Sequence, residues 1–179
     1  MRYRRVIAKG GTYFFTLNLA DRSSALLVEH ASVLRRAIQK VRSAHPFELQ
    51  AIVVLPDHLH ALWTLPQENA DFAMRWSLIK AGFSRGISAG EQVSRSRIYK
   101  RERGIWQRRY WEHQIHDERD FQQHVDYIHY NPVKHGYVSR AIQWPYSSLH
   151  RYVTRGWLTA QWGTGKVGIE GDKSNRGER

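Results

Sequence analysis

The stretch 47–65, FELQAIVVLPDHLHALWTL, limits the possible folds most strongly. Its two apolar runs, 47–55 and 58–65, contain β-branched and aromatic residues in the proportion that is typical of strands. Pro56 and Asp57 separate the runs and predict a tight turn. Because strands joined by so short a turn pair antiparallel, the sequence predicts a β-hairpin at this point of the chain.

Segments with helical spacing of their apolar residues flank the hairpin. Residues 21–45 and 69–87 have apolar side chains every three or four positions, which predicts two helices. Residues 12–19 and 105–115 are aromatic-rich and predict one strand on each side, and the polar, basic residues 88–104 predict a loop. This order predicts an α+β fold, the ferredoxin-like split βαβ sandwich, with an antiparallel sheet and helices on one face.

A third helix is predicted after the last strand, over residues 117–136. Acidic residues at its start suit a helix N-terminus, and Gly136 suits its end. Pro132 lies inside this segment and predicts a kink or a stop near Asn131. Residues 146–153 predict one further short helical turn.

The chain is predicted to be one domain with a tail. Its 179 residues suit a single hydrophobic core, which we assign to residues 1–155. Residues 156–179 are rich in glycine and charge and poor in apolar side chains, which predicts a flexible, basic C-terminal tail.

The charge of the chain predicts its class of partner. Lys and Arg number 28 against 16 Asp and Glu, which gives a net charge of +12, and 21 of the 28 are Arg. The planar guanidinium binds phosphate as a fork, so this bias favours nucleic acid. A generally basic protein and a membrane-surface binder are the alternatives. The absence of cysteine excludes disulfides and thiolate metal sites and fits an intracellular location. No segment reaches the roughly 20 apolar residues that cross a bilayer.

The return strand of the hairpin carries two histidines, His58 and His60. Residues i and i+2 of a strand point to the same face, so the two imidazoles project together and Leu59 projects opposite. Two neutral imidazoles side by side form half of a divalent-metal site. The alternative is a pair of half-buried histidines that bond to backbone carbonyls.

The third predicted helix carries Tyr127 and Asn131, four residues apart and therefore on one helical face. The side-chain carbonyl of Asn131 could complete a metal site with the two imidazoles, which would place Tyr127 one turn away. A phenol is a poor nucleophile unless a cation or base assists it, and a metal-bound phosphate would supply that help. Attack on phosphorus would give a phosphotyrosine. The alternative is a core tyrosine and an asparagine that ends the helix before proline.

Seven basic residues crowd a short segment and are interleaved with Tyr99, Trp106, Tyr110 and Trp111. They are Arg95, Arg97, Lys100, Arg101, Arg103, Arg108 and Arg109. Arginine that binds phosphate and aromatic rings that stack on unpaired bases predict single-strand binding. Arg2, Arg4 and Arg5 are predicted as a second phosphate contact. The alternative is a solvated loop followed by a strand with core aromatics.

The WEHQIH motif contains a further pair, His113 and His116. In a strand, residues i and i+3 point to opposite faces, so this pair is predicted not to chelate a metal. We expect one of the two to face outward and the other to be packed.

Four motifs in this order carry a family resemblance: LPDHLHALW, WQRRYWEH, YIHYNPVKHG and WPYSSLHRY. Together they resemble the REP-associated tyrosine transposases, in the single-tyrosine branch of the HUH nuclease superfamily. The resemblance extends from about residue 3 to residue 153. It implies a ferredoxin-like fold with an additional C-terminal catalytic helix.

The resemblance also implies an activity, which is metal-dependent single-strand DNA cleavage and strand transfer with Mg²⁺ or Mn²⁺. The implied substrates are REP hairpins, short palindromes flanked by a 5′ guide tetranucleotide. By motif match, His58 and His60 resemble the metal-binding pair, Asn131 the third ligand, and Tyr127 the nucleophile that forms a 5′-phosphotyrosine and leaves a 3′-hydroxyl. The implied protein is a monomer in a bacterial cytoplasm, associated with the nucleoid and with no membrane partner.

Two other functions remain open at this point. One is a non-catalytic protein of the same fold that binds structured DNA. The other is an RNA nuclease that uses water as its nucleophile and therefore does not need Tyr127.

Overall fold

Four strands form one antiparallel sheet. The computed structural model describes residues 8–90, 95–100 and 102–164. The strands are β1 (Thr12–Asn18), β2 (Glu48–Val54), β3 (His58–Thr64) and β4 (Trp111–Gln114), in the order β2-β3-β1-β4. A hydrogen bond of 2.8 Å from the backbone N–H of Leu55 to the carbonyl of His58 closes the turn between β2 and β3. The predicted hairpin is confirmed.

Six α-helices accompany the sheet in the part of the chain that is described. They are α1 (Leu26–Glu29), α2 (Ala31–Ala44), α3 (Phe72–Arg85), α4 (Arg95–Tyr99), α5 (Glu118–Lys134) and α6 (Leu149–Thr154), and a 3₁₀ turn spans Ala141–Gln143. The order of the strands and of the longer helices is that of the split βαβ, so the predicted ferredoxin-like α+β fold is confirmed.

The alternation of side chains along each strand divides the core into two layers. Phe15, Leu17 and Trp63 face one side of the sheet, where they pack with residues of α2 and α3 such as Leu34 and Trp76. Each large apolar side chain that is buried in this way stabilises the fold by roughly 1.5–3 kcal/mol. This is the helix-covered face that the sequence predicts.

The opposite face of the sheet is covered by the additional helix. Phe14, Val53 and Leu62 point to this side and pack with Val125 and Ile128 of α5. The C-terminal helix α6 adds Tyr152 to the same cluster. The second face is therefore a packed layer, and the strand residues that point into it lie beneath α5.

The predicted helix over residues 21–45 is in fact two helices that meet at His30. Asp21 accepts hydrogen bonds from the backbone N–H and the hydroxyl of Ser23, which holds the first residues in a turn. Helix α1 therefore begins only at Leu26, and the apolar spacing that predicted one long helix is shared by α1 and α2.

The segment between α3 and α5 also differs from its prediction. The predicted loop 88–104 contains the short helix α4. The predicted strand 105–115 is shortened to β4, because Trp106 makes only an isolated bridge to Leu19 before the chain reaches the sheet at Trp111.

The prediction allowed a stop or a kink at Pro132, and a stop near Asn131 is wrong, because α5 continues to Lys134. A proline inside a helix removes one N–H donor, and here it does so in the last turn, where few bonds remain to be lost. The backbone N–H of His135 still bonds to the carbonyl of Asn131 at 3.0 Å. Gly136 then takes a φ of 73° and ends the helix as predicted.

Residues 156–164 follow α6 in a series of turns. The ring centroids of Tyr152 and Trp157 are 5.1 Å apart, and those of His129 and Trp162 are 5.9 Å apart. These residues therefore contact the domain, and the rest of the predicted tail lies outside the described residues. The division at residue 155 and the flexibility of the tail remain predictions. No helix in the described part of the chain is long and apolar enough to span a membrane.

Candidate active site

Strand β3 and helix α5 bring two histidines and a tyrosine together on the second face of the sheet. The ring centroids of His58 and His60 are 5.1 Å apart, and those of His60 and Tyr127 are 5.2 Å apart. All three side chains are buried, as is Asn131 one helical turn further along α5. Leu59 lies in the opposite layer. The predicted shared face of the two imidazoles is confirmed.

The protein engages one nitrogen of each imidazole. The Nδ1 of His58 lies 2.7 Å from Oδ1 of Asp57, and the other carboxylate oxygen of Asp57 lies 2.6 Å from Nε of Arg22. The Nδ1 of His60 lies 2.9 Å from the hydroxyl of Thr16. Metal-binding histidines usually bond in this way through one nitrogen and coordinate through the other. Both rings are therefore oriented to offer Nε2 to an ion.

The unsatisfied polar atoms of this cluster test whether a metal fits. Among the residues that the structure describes, Nε2 of His58 and both amide atoms of Asn131 are buried and have no hydrogen-bond partner. Buried polar atoms in proteins nearly always have a partner, so an ion between these atoms would account for them. Imidazole nitrogen and amide oxygen are donors that Mn²⁺ and Mg²⁺ accept. The residues fit a divalent cation.

Asp57 keeps its negative charge in this environment. Burial by itself would raise the pKa of its carboxyl group, but the hydrogen bond with His58 and the charge of Arg22 outweigh that effect and lower it. An ionised Asp57 accepts the proton on Nδ1 of His58 and so fixes the tautomer in which Nε2 has its lone pair available.

Lys134 is a residue of this site that sequence reasoning missed. Its Nζ lies 3.2 Å from the hydroxyl of Tyr127 and 4.7 Å from the centre of the ring. A positive charge beside a phenol oxygen stabilises the negative charge that develops when the phenol loses its proton. The spacing of seven residues, two helical turns, was the available signal, because it places Lys134 on the face of Tyr127.

The predicted DNA-binding residues fall into separate groups. Arg95, Arg97 and Tyr99 lie on α4 and Lys100 follows it; the side chain of Tyr99 is 89 % exposed. Arg109 is also exposed. Arg2, Arg4, Arg5 and Arg101 lie outside the described residues. Exposure leaves Arg95, Tyr99, Lys100 and Arg109 accessible to a phosphate or a base, whereas Arg97 is half-buried.

Three of the predicted contacts are engaged within the protein. Arg97 donates a hydrogen bond to the carbonyl of Trp106 at 3.4 Å. Arg103 donates hydrogen bonds to the carbonyls of Ser84, Ile87 and Ser88, at the C-terminal end of α3. Arg108 pairs with Glu102, with 2.9 Å between Nε and Oε2. Arg103 therefore fastens this segment to α3, which favours a structural role for its guanidinium over a phosphate contact.

A groove with basic walls lies between α3 and residues 102–110. Its lining includes Lys80, Arg85, Arg97, Arg108 and the ring of Trp106. Burial lowers the pKa of Lys80 to about 8, and the nearby charge of Glu102 opposes this effect. The groove is therefore a candidate for the backbone of a nucleic acid.

The same groove, on the face of the sheet that α3 covers, borders the end of the sheet at which His58 lies. Gln107 lines it, and the backbone N–H of Gln107 donates to the carbonyl of Asn18 at 2.9 Å. Asn18 is the register partner of His58 in the sheet. A nucleic-acid strand held in the groove would thus reach the end of the sheet at which His58 lies.

The aromatic residues and the second histidine pair are divided between core and surface. Trp106 is buried in the first core layer, and Trp111 packs at the margin of the second. His116 is exposed and His113 is half-buried, as predicted, but the reason given was wrong: β4 ends at Gln114, and the rings of His113 and His116 lie 5.6 Å apart and not on opposite faces. His113 contacts Asp120 and His124 of α5.

A ferredoxin-like sheet with a buried pair of imidazoles beside a helical tyrosine is the arrangement that the sequence motifs predict for the transposase class. Comparison with known proteins agrees with this class. The family model described as "Transposase IS200 like" matches residues 9–131. Since that match spans most of the chain, the chain belongs to the IS200-like transposase family.

Within this family the chain belongs with the REP-associated tyrosine transposases. It is 46% identical to the REP-associated tyrosine transposase of Escherichia coli (strain K12) over 160 residues, which is 89% of each chain. It is 45% identical over 162 residues to a protein of Haemophilus influenzae (strain ATCC 51907 / DSM 11121 / KW20 / Rd) described as a putative REP-associated tyrosine transposase, covering 90% and 92% of the two chains.

A solved structure shows the same similarity in three dimensions. It is described as a REP-associated tyrosine transposase bound to a REP hairpin. Its TM-score is 0.85 and its sequence identity 42%, with 100% of this chain and 98% of the other covered. The resemblance found in the four sequence motifs is confirmed.

Proposed function

We propose that this transposase cuts and rejoins single-stranded DNA at REP-type hairpins through a 5′-phosphotyrosine intermediate and with the help of Mg²⁺ or Mn²⁺. One observation carries the proposal: His58, His60, Tyr127 and Asn131 lie in one buried cluster that a single chain provides. A binding protein needs no buried tyrosine beside a pair of imidazoles.

The residues of the cluster have separate roles in the proposed reaction. His58 and His60 through Nε2, and Asn131 through its amide oxygen, would hold the ion. When bound, the ion would neutralise charge on the oxygens of the scissile phosphate. Asp57 and Thr16 orient the two imidazoles.

Tyr127 supplies the nucleophile in this proposal. Its phenol oxygen forms a bond to phosphorus, the bond from phosphorus to the 3′ oxygen breaks, and the phenol proton passes to the departing 3′ oxygen, which becomes the free 3′-hydroxyl. Lys134, 3.2 Å from the phenol oxygen, stabilises the charge on that oxygen during attack. The phosphotyrosine preserves the energy of the phosphodiester, so the same steps in reverse join the strand to a new 3′-hydroxyl.

The proposed substrate follows from the relatives and from the basic surface. A relative that is 42% identical over the whole chain has been solved with a REP hairpin. The groove beside α3 would hold the backbone, and the exposed ring of Tyr99 would stack on an unpaired base. A 5′ guide tetranucleotide, a monomeric enzyme and a cytoplasmic, nucleoid-associated location in a bacterium complete the proposal.

A covalent adduct tests this function directly. We expect the protein to shift a 3′-labelled hairpin with a single-stranded flank to the mass of a protein–DNA conjugate on a denaturing gel, with Mg²⁺ or Mn²⁺ present. The same DNA labelled at its 5′ end should release a free fragment ending in a 3′-hydroxyl. Excess chelator and the double variant His58→Ala, His60→Ala should abolish both products while DNA binding persists.

Other outcomes would point to the other two functions. Tight hairpin binding with no adduct under any metal would identify a non-catalytic DNA-binding protein. Cleavage of an RNA hairpin without an adduct would identify a nuclease that uses water.

A further inference from the structure

A second group of possible metal ligands lies near the N-terminal end of α5. It consists of His113 of β4 with Asp120 and His124 of α5, and one ligand atom from each lies within 4.8 Å of the others. Within residues 8–90, 95–100 and 102–164 it is the one group of three histidine, cysteine or carboxylate side chains close enough to share an ion. The proposed reaction uses none of the three.

The spacing of these atoms suits a coordination sphere. The Nε2 of His113 lies 2.9 Å from Oδ2 and 3.2 Å from Oδ1 of Asp120, and Nδ1 of His124 lies 3.0 Å from Oδ1. Ligands at about 2.0–2.2 Å from a common ion lie roughly 3 Å from one another. A small movement of each side chain would admit an ion, provided that Nδ1 of His124 gives up its 2.8 Å hydrogen bond with the backbone carbonyl of Asp120.

Neighbouring groups hold the three side chains in place. The backbone N–H of His116 donates to Oδ2 of Asp120 at 3.0 Å. The rings of His113 and His124 are stacked with their centroids 4.8 Å apart, and Trp111 stacks on the other side of His113 with an interplanar angle of 4°. The site is thus oriented before any ion arrives, which lowers the entropy cost of binding.

The charges of the group favour a dication. Burial by itself would raise the pKa of Asp120, but the hydrogen bonds from His113 and from the backbone of His116 outweigh it and lower it. Asp120 thus contributes a carboxylate to this group, in a chain with a net charge of +12.

Solvent can reach this group. The side chains of His113, Asp120 and His124 are 30%, 18% and 11% exposed. An ion could therefore enter and retain water at its open positions. Two imidazoles and one carboxylate form a donor set that suits Zn²⁺ and its first-row neighbours.

We propose that His113, Asp120 and His124 form a second divalent-metal site of the Zn²⁺ type, separate from the site at His58 and His60. Two of its ligands belong to α5 and one to β4, so the ion ties the first turns of α5 to the edge of the sheet. Asp120 and His124 are spaced from Tyr127 so that all three lie on one helical stripe. The ion therefore fixes the position of the helix that carries the nucleophile.

One aromatic ring separates the two sites. The centroid of Phe14 lies 4.7 Å from that of His124 and 5.4 Å from that of His60. Movement of His124 would thus reach the first site through a single packed side chain. The role assigned to the second ion is to position the helix, and it takes part in no bond-making step.

Zinc binding by the full chain without an affinity tag tests the proposal. After removal of metal with chelator, Zn²⁺ is titrated in competition with a chromophoric chelator. The double variant His58→Ala, His60→Ala should still bind one equivalent and should gain thermal stability from it. Adding Asp120→Asn should weaken this binding by more than the roughly 10–100-fold that loss of an outer partner costs.

Two further variants make the result decisive. Asp120→Asn in the otherwise unchanged chain should lose one equivalent, and circular dichroism should show an unchanged fold because Asp117 caps α5. His116→Ala removes an exposed imidazole 5.6 Å from that of His113 and should lose none. If the His58, His60 double variant binds no Zn²⁺, or if Asp120→Asn binds as tightly as its parent, the three residues form only a hydrogen-bonded network. Neither result depends on DNA cleavage, so failure here leaves the proposed function standing.

Discussion

Asp57 divides its carboxylate between two partners, and this makes it the residue on which the orientation of His58 depends. One oxygen meets Nδ1 of His58 at 2.7 Å, and the other meets Arg22 at 2.6 Å. Its position in the turn of the hairpin places it directly before the first histidine. Asp57 in the turn therefore sets the orientation of the histidine that follows it.

Replacing Asp57 with Asn should reduce Mn²⁺ affinity at the first site by about 10–100-fold, since the amide no longer fixes the tautomer of His58 by its charge. Calorimetric titration with Mn²⁺ measures the change. Asp21→Asn is the control, because Asp21 lies in the same region, contacts only the Ser23 turn and can keep that turn as asparagine. Equal Mn²⁺ affinity in the two variants would contradict this role for Asp57.

Tyr127→Phe removes one hydroxyl and leaves the ring in place among Phe14 and His60. We expect the fold and hairpin affinity to survive while the covalent adduct disappears, because no other atom of the side chain can attack phosphorus. The denaturing gel with 3′-labelled hairpin provides the measurement. Tyr130→Phe is the matched control on another face of α5. Adduct formation by the Tyr127 variant at the wild-type rate would exclude this residue as the nucleophile.

The residues of the candidate site were predictable where local periodicity determines them. A strand period of two places His58 and His60 together, and a helical period of 3.6 places Tyr127 with Asn131. The ion pair of Asp57 with Arg22 was not predictable in this way, because it forms only when the hairpin turn and the residues after β1 meet in space. The contact of Lys134 with Tyr127 follows from the same helical period, since the two residues are seven positions apart.

At the scale of elements, the segment from α4 to β4 shows what periodicity does not resolve. Its seven basic residues look alike in sequence, yet Arg103 binds backbone carbonyls of α3 whereas Arg95 and Arg109 are exposed. Only the fold reveals which guanidinium groups have protein partners. The effect of Pro132 also depends on the fold, because its free-energy cost to α5 is set by how few helical hydrogen bonds follow it.

The exposed arginines of this segment should control the dependence of DNA binding on salt. Each phosphate contact on single-stranded DNA contributes about −0.7 to the slope of log affinity against log salt. The double variant Arg95→Ala, Arg109→Ala should therefore make the slope shallower by about 1.4. The control is Arg35→Ala, Arg36→Ala, two exposed positions on α2. An identical slope in both double variants would mean that the segment is a solvated connector.

Tyr99 should contribute to DNA affinity by stacking. Its side chain is 89 % exposed, so Tyr99→Ala disturbs no core contact. We expect a loss of about 1–3 kcal/mol in binding to DNA with unpaired bases and little change in the salt slope. Affinity for fully paired duplex should be unchanged. An equal loss on duplex and on single strands would argue against stacking.

Lys80 should make binding in the groove depend on pH. With a pKa of about 8, its ammonium is charged at pH 7 and largely neutral at pH 9. DNA affinity should therefore fall as pH rises through 8, by at most about tenfold per pH unit for one proton. Lys80→Arg stays charged over this range and should give a flat profile. Parallel pH titrations of hairpin binding compare the two, and identical profiles would exclude Lys80 from the DNA contact.

At the scale of the molecule, one chain supplies every residue of the candidate active site. Strand β3 provides the two imidazoles, and α5 packs on the same face of the same sheet with Tyr127 and Asn131. The split βαβ order was predictable because each element has a clear period and the connections are short. The packing of α5 over the second face was not, because it depends on the pairing of Phe14 and Leu62 with Val125 and Ile128 across the molecule.

A mixing experiment tests whether the site is assembled within one chain. The variant His58→Ala, His60→Ala keeps Tyr127 but lacks the two histidines proposed to bind the metal. The variant Tyr127→Phe keeps the two histidines but lacks the nucleophile. If α5 stays on its own sheet, as the 5.2 Å contact between the rings of His60 and Tyr127 indicates, an equimolar mixture forms no adduct. If two chains exchange α5, some sites in the mixture combine the intact His58 and His60 of one variant with the intact Tyr127 of the other. Adduct formation then returns. Co-refolding the two variants before the assay gives any exchange the opportunity to occur, so an inactive mixture then supports a site built within one chain.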